Sequence, residues 1–163
     1  MSTADAVDRE AEWLRSAGDG LPALLAPAGP WDVVQGYVPR SPAQLQCSIY
    51  VTRSRLRDPR VANQRKRPAH SFRLRLLWPI GSTSTDRVAE DEQRAFDNAI
   101  DLLVQRVRGT VGDHTHGGRF LSVAEAPETD PVTVDFDDPM ASILAGALTA
   151  RVTYPADDNE AVV

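Results

Sequence analysis

Two stretches of the chain alternate apolar and polar residues with a strict period of two. Over 45–53, Leu45, Cys47, Ile49 and Val51 share one side while Gln46, Ser48, Tyr50 and Thr52 share the other. Over 70–78, Phe72, Leu74, Leu76 and Trp78 oppose Ser71, Arg73 and Arg75. That period predicts two half-buried strands of a one-sided sheet. The segment between them, RSRLRDPRVANQRKRP, is too polar to pack in a core and far longer than the two to five residues that close an ordinary hairpin. A long hairpin loop is therefore expected to project from the sheet.

Helical spacing takes over elsewhere. Over 4–17, Ala4, Val7, Ala11 and Leu14 form a stripe with Glu10, Glu12 and Arg15 opposite, and Gly18 is a natural stop. The clearest helix is 86–108: Thr85 or Asp86 caps it, and Glu90, Asp91 and Glu92 suit the positive end of its dipole. Arg106 and Arg108 suit the negative end, and Gly109 ends it. Phe96, Ile100, Leu103 and Val107 follow one stripe and should lie on the sheet, with Val88, Glu92 and Ala99 on the same line. Trp31 to Val38 reads as an edge strand or packed loop. After the turn GDHTHGG come two short strands, 120–124 and 132–136, the second with Val132, Val134 and Phe136 facing inward. The last element, 143–154, is expected as a strand with Leu144, Leu148, Val152 and Tyr154 on one face. The order predicts an α+β fold: an antiparallel sheet with a long helix and an N-terminal helix on one face, a two-layer sandwich with a long basic hairpin loop.

Composition bounds the picture. The chain of 163 residues, 42% hydrophobic and 25% charged, suits a single domain, 1–163, able to bury a core without disulfides or metal. No run of about 18 apolar residues is present, so no membrane-spanning helix and no membrane partner are expected. The acidic, amphipathic MSTADAVDREAEWLRS does not read as a secretory leader. Cys47 is the one cysteine, excluding intrachain disulfides and cysteine-rich metal sites, and its place on an apolar strand face marks it as a small hydrophobe.

Charge changes the picture more. The net charge of −5 hides nine cations and one anion over 53–75, against nine acids and one cation, Arg151, over 125–163. The candidate interface is the basic loop, Arg53, Arg55, Arg57, Arg60, Arg65, Lys66 and Arg67, expected to be mobile in a lone subunit and ordered by a partner. Seventeen Arg against one Lys also suits GC-rich coding, so the excess of Arg is not in itself functional. The loop offers charge for nucleic-acid phosphates but no interleaved aromatics for stacking, and the same mutually repelling charges also suit a solvated loop without a partner. The acidic end, 155–163, is expected to be a mobile tail.

Catalytic constellations are sparse. His114 and His116, beside Asp113, could present two imidazoles and a carboxylate to a metal, but His70 is remote and a polar turn explains the segment equally. Asp135, Asp137 and Asp138 suit a solvated strand end. No phosphate-binding glycine loop, G-x-S-x-G elbow or H-E-x-x-H helix is present. No enzyme, metal or cofactor is expected.

The order of elements carries a resemblance. An N-terminal helix, the strand LQCSIYVTR, a long loop, the strand SFRLRLLWP, the helix DRVAEDEQRAFDNAIDLLVQRVRG and the strand ALTARVTYP together resemble the tail terminator proteins of long-tailed bacteriophages, over most of 5–155. LRLLWP and ARVTYP carry it most strongly. The resemblance implies a structural virion protein at the head–tail junction, assembled in the host cytoplasm. It implies a homo-oligomeric ring, usually a hexamer, that caps the finished tail tube, stops its polymerisation and joins the head-side connector or stopper. Partners would be further copies of the chain, the tail tube protein and the connector, with DNA passing through the lumen as a further contact. A connector or stopper of the neck, or a nucleic-acid-binding protein using the Arg loop, remain the alternatives. The acidic tail and the HTH turn have no counterpart in that family.

Overall fold

A computed structural model describes residues 2–16, 21–40, 46–57, 60–62, 65–66, 69–80, 86–109, 115–124, 132–157 and 160–161. The fold is α+β, a curled mixed sheet with three helices. Helix α1, Thr3–Arg15, begins where the Ser2 hydroxyl accepts the Asp5 N–H, as an N-cap should. Strand β1, Val33–Gly36, runs beside β2, Ser48–Arg57, which pairs with β5, Ala69–Pro79. Between β2 and β5 lie β3, Arg60–Ala62, and β4, Arg65–Lys66. Helix α2, Asp86–Arg108, is followed by β6, Ser122–Val123, β7, Thr133–Phe136, helix α3, Pro139–Leu144, β8, Ala147–Asp157, and β9, Glu160–Ala161.

The centre of the sheet is the antiparallel pair β5–β8, which stays in one register from Ala69↔Asp157 to Pro79↔Ala147. Strict alternation puts Phe72, Leu74, Leu76, Trp78, Leu148, Ala150, Val152 and Tyr154 into the core. Phe96, Ala99, Ile100, Leu103 and Val107 of α2 join the same core, as the sequence predicts, and so do Ala6, Val7, Ala11, Trp13 and Leu14 of α1. Trp31 meets Trp78 and Phe96 edge to face at one end, and Phe72 meets Phe120 edge to face and Tyr154 at a tilt at the other.

Several expectations are corrected. The sheet is not purely antiparallel, because β1 runs parallel to β2; the connection from Tyr37 to Cys47 is long enough to carry the chain back to the start of β2. The segment 143–146 is not strand: the Asp138 carboxylate caps the Met140 N–H, Pro139 occupies the first turn, and Gly146, with φ +87°, turns the chain into β8. Leu144 ends that helix in solvent. Phe136 stands opposite Ala150 on the core face, as expected, yet stays 57% exposed because β7 lies at the edge of the sheet. Only Ser122 and Val123 of 120–124 are strand. Of the segment 155–163, expected as a tail, Pro155 to Asp157 continue β8 and Glu160–Ala161 pair with β4, and the remainder lies outside the described residues. Ala4 is exposed and its place in the stripe is taken by Ala6. Val88 is likewise exposed. Gly18, Leu45 and Thr85 lie outside the described residues.

The largest correction concerns Glu10, placed by its polarity on the solvent side of α1 and found fully buried. Its carboxylate accepts the Tyr154 hydroxyl at 2.7 Å and lies 2.9 Å from His116 Nδ1, while His116 Nε2 donates to the Val107 carbonyl at 2.7 Å. With Nε2 committed as a donor, one further proton bridges Nδ1 and the carboxylate. Burial and the facing Glu10 charge hold the Tyr154 phenol well above its ordinary range, so it remains a donor. The His116 ring stacks on Trp13 at 3.6 Å. Arg106, in the last turn of α2 where its charge suits the helix dipole, is fully buried: its guanidinium lies 4.4 Å from the Trp13 ring centroid and donates to the carbonyls of Trp13 and Ser16. It thereby satisfies the open end of α1.

Two stability outcomes follow from these contacts. Leu103→Ala, at a fully buried position, should lower unfolding free energy by about 2–5 kcal/mol in urea titration. His116→Ala, which leaves the Glu10 carboxylate buried without its hydrogen-bonded imidazole, should cost about 3–5 kcal/mol, read as a fall in Tm.

Candidate functional site

The basic segment is built as an arm. Its ladder runs past the core: β2 and β5 remain paired as far as Arg57↔Ala69, with a bulge at Ser54 that the Ser54 hydroxyl stabilises by donating to the Ser71 carbonyl. The sequence suggests a structureless loop because the side chains are polar. Backbone pairing needs no apolar side chain, so the hairpin extends into solvent as a twisted ribbon. Beyond it, β3, β4 and β9 form a second, three-stranded sheet in which the acidic C-terminal segment meets the basic arm, with Lys66 opposite Glu160 in register.

Of the seven predicted interface residues, Arg53, Arg55 and Arg57 stand exposed on β2. Arg60 belongs to β3, and Arg65 and Lys66 to β4; Arg67 lies outside the described residues. The bulge resets the alternation. Arg53, opposite Phe72, and Leu56, opposite His70, fall on one side of the ribbon, whereas Arg55 and Arg57 fall on the other. The Arg53 guanidinium sits 5.6 Å from the Tyr37 ring centroid. β1 covers the outer edge of β2 only as far as Val51.

The face of the sheet away from the core carries the cross-strand row Tyr50, Arg75, Arg151 and Asp135. Asp137 accepts the Thr149 hydroxyl at 2.5 Å and pairs with Arg151 at 3.3 Å. At the Leu148 end of the sheet, a groove of about 520 Å³ opens between α2 and the β7–α3 corner. Gln93, Asp97 and Asp101 form one wall, and Phe136 and Pro139 the other. Phe136, Met140 and Leu144 are 57%, 73% and 84% exposed, an apolar cluster that sequence pattern assigned partly to the core.

His116 has both ring nitrogens engaged and is sealed from solvent, while Asp113 and His114 lie outside the described residues. Among the described residues no cluster of His, Cys, Asp and Glu could hold a metal ion, and no helix is long and apolar enough to cross a membrane. Cys47 lies just before β2, half-buried against the core, its N–H donated to Asp32. A comparison with protein-family models finds no match, and a search of curated proteins finds none either.

Burial, together with the Asp32 and Glu92 carboxylates, pushes the Cys47 thiol up to about 11. Alkylation by iodoacetamide at pH 8 should therefore run about a hundredfold slower than for a free cysteine and rise about tenfold per pH unit. A rate equal to that of free cysteine would show the thiol to be solvated.

Proposed function

We propose that this chain is a structural virion protein acting by assembly rather than catalysis: a tail-terminator-like subunit whose ring, of about six copies by the resemblance, sits on the head-proximal end of a tail tube. The ring ends tube polymerisation and offers the surface that joins the head connector. In this reading the subunit is a two-layer sandwich whose basic hairpin reaches a neighbour, the tube or the connector. The single observation that carries it is the element order around the long central pair: a terminal helix, an edge strand, a hairpin extended into a cationic arm, a long helix on the sheet and a closing central strand. Charge placement supports it, because exposed arginines on the arm and Asp97 and Asp101 on α2 let a subunit meet its copies in a fixed orientation.

Deletion of the gene from the phage or prophage that carries it tests the reading directly. Tails of uncontrolled length in electron micrographs are expected; tails of normal length that lack heads would assign the stopper role instead. Replacing Arg55, Arg57, Arg65 and Arg67 with Ser should leave the melting temperature within a few degrees of the parent. It should also weaken ring formation or docking, most at low salt and less as salt rises, because partly exposed ion pairs are screened over about 10 Å at 0.1 M ionic strength. Infectious particles in parental yield from that variant would show the arm to be a passive solvated segment.

A further inference from the structure

The arm and the groove match each other but cannot meet within one subunit. Arg57 pairs with Ala69, which pairs with Asp157 at one end of β8, whereas Leu148 and Thr149 line the groove at the other. Nine residues of extended strand separate the two ends, about 30 Å at 3.3–3.4 Å per residue. The groove has an acidic wall and an apolar wall; the arm has a cationic side, Arg55 and Arg57, and an opposite side bearing Leu56, which is 50% exposed.

Spacing agrees as well as sign. Side chains two apart on a strand stand about 6.6–6.8 Å apart, and Asp97 and Asp101, one helical turn apart, about 5–6 Å. Neither aspartate forms an ion pair among the described residues, and as like charges at i and i+4 they weaken their own helix. Among the described residues no strand pairs with the outer edge of β2 beyond Val51, which leaves room for the arm to enter edge-on.

We propose that the groove between α2 and the β7–α3 corner receives the arm of a second copy of this chain, with Arg55 and Arg57 on Asp97 and Asp101 and Leu56 against Phe136. The contact is heterologous, arm to groove, and closes into a ring if the rotation per subunit divides a full turn. It rests on the assembly reading above and names the surfaces that join neighbours.

Disulfide trapping tests it. In a Cys47→Ser background, Leu56→Cys and Phe136→Cys on the same chain cannot bridge internally, because a disulfide needs Cα atoms within about 7 Å. Mild oxidation should therefore give a ladder of crosslinked oligomers ending at a closed ring, and the single-cysteine variants should not. Adding Arg55→Asp and Arg57→Asp, or Asp97→Arg and Asp101→Arg, should cut the ladder about tenfold at low salt. Mixing the two charge-reversed proteins should restore it with alternating subunits, which also shows that both are folded. A double-cysteine protein that yields only monomer, or a ladder indifferent to charge reversal, overturns the proposal. Rings on tube ends without the ladder would discard this contact and keep the assembly reading; a charge-dependent ladder from a chain whose deletion leaves tails normal would do the reverse.

Discussion

Everything in this molecule hangs on the unbroken ladder between β5 and β8. Eleven register pairs without a bulge fix which face of the sheet is apolar, since a slip of one residue would turn Phe72, Leu74, Leu76 and Val152 into solvent. The same ladder provides the bed for α2, whose Phe96, Ile100, Leu103 and Val107 need a continuous apolar surface. Its length also sets the distance between the molecule's two ends. The arm is β2 and β5 continued beyond the core, and the groove is the opposite end of β8 roofed by α2 and α3.

A second constraint holds α1 in place. Burying the Glu10 carboxylate carries a heavy desolvation cost, offset by the Tyr154 hydroxyl and by the proton it shares with His116. Each partner comes from a different element: the turn after α2 supplies His116, β8 supplies Tyr154, and α2 itself supplies Val107 and Arg106. Apolar contacts alone would let α1 slide along the sheet. A polar cluster with few geometric solutions fixes its position, because a shift strands a buried charge.

The charge distribution is organised on the same axis. Net charge is small relative to the local fields, which place exposed arginines at one end and Asp97 and Asp101 beside an apolar groove at the other. Such a dipolar subunit disfavours head-to-head contact through like-charge repulsion and favours head-to-tail order. The open face of the sheet, with Arg75, Arg151 and the Asp137–Thr149 bridge, is left for contacts of a different kind.

Period-two alternation announced β5 and most of β8, and the 3.6-residue stripe announced α2, because these elements bury one face against a single extensive partner and the pattern is the burial. The cationic arm was legible as charge. Glu10 and Arg106 were not legible, since a charged side chain on a helix reads as solvated unless one knows that His116, Tyr154 or the open end of α1 lies within reach. Exposure was less legible for apolar residues: Phe136 lies on the expected face but the edge position of β7 leaves it half open, and Leu144 ends α3 in solvent instead of lying on a strand. The parallel pairing of β1 and the pairing of β9 with the arm depend on chain crossings that local pattern does not encode. Local periodicity thus determined which residues could form a core and where a charged arm would leave it. Tertiary structure decided which polar groups are buried, which apolar groups are exposed and which surfaces stand at opposite ends, because those depend on contacts between residues distant in the chain.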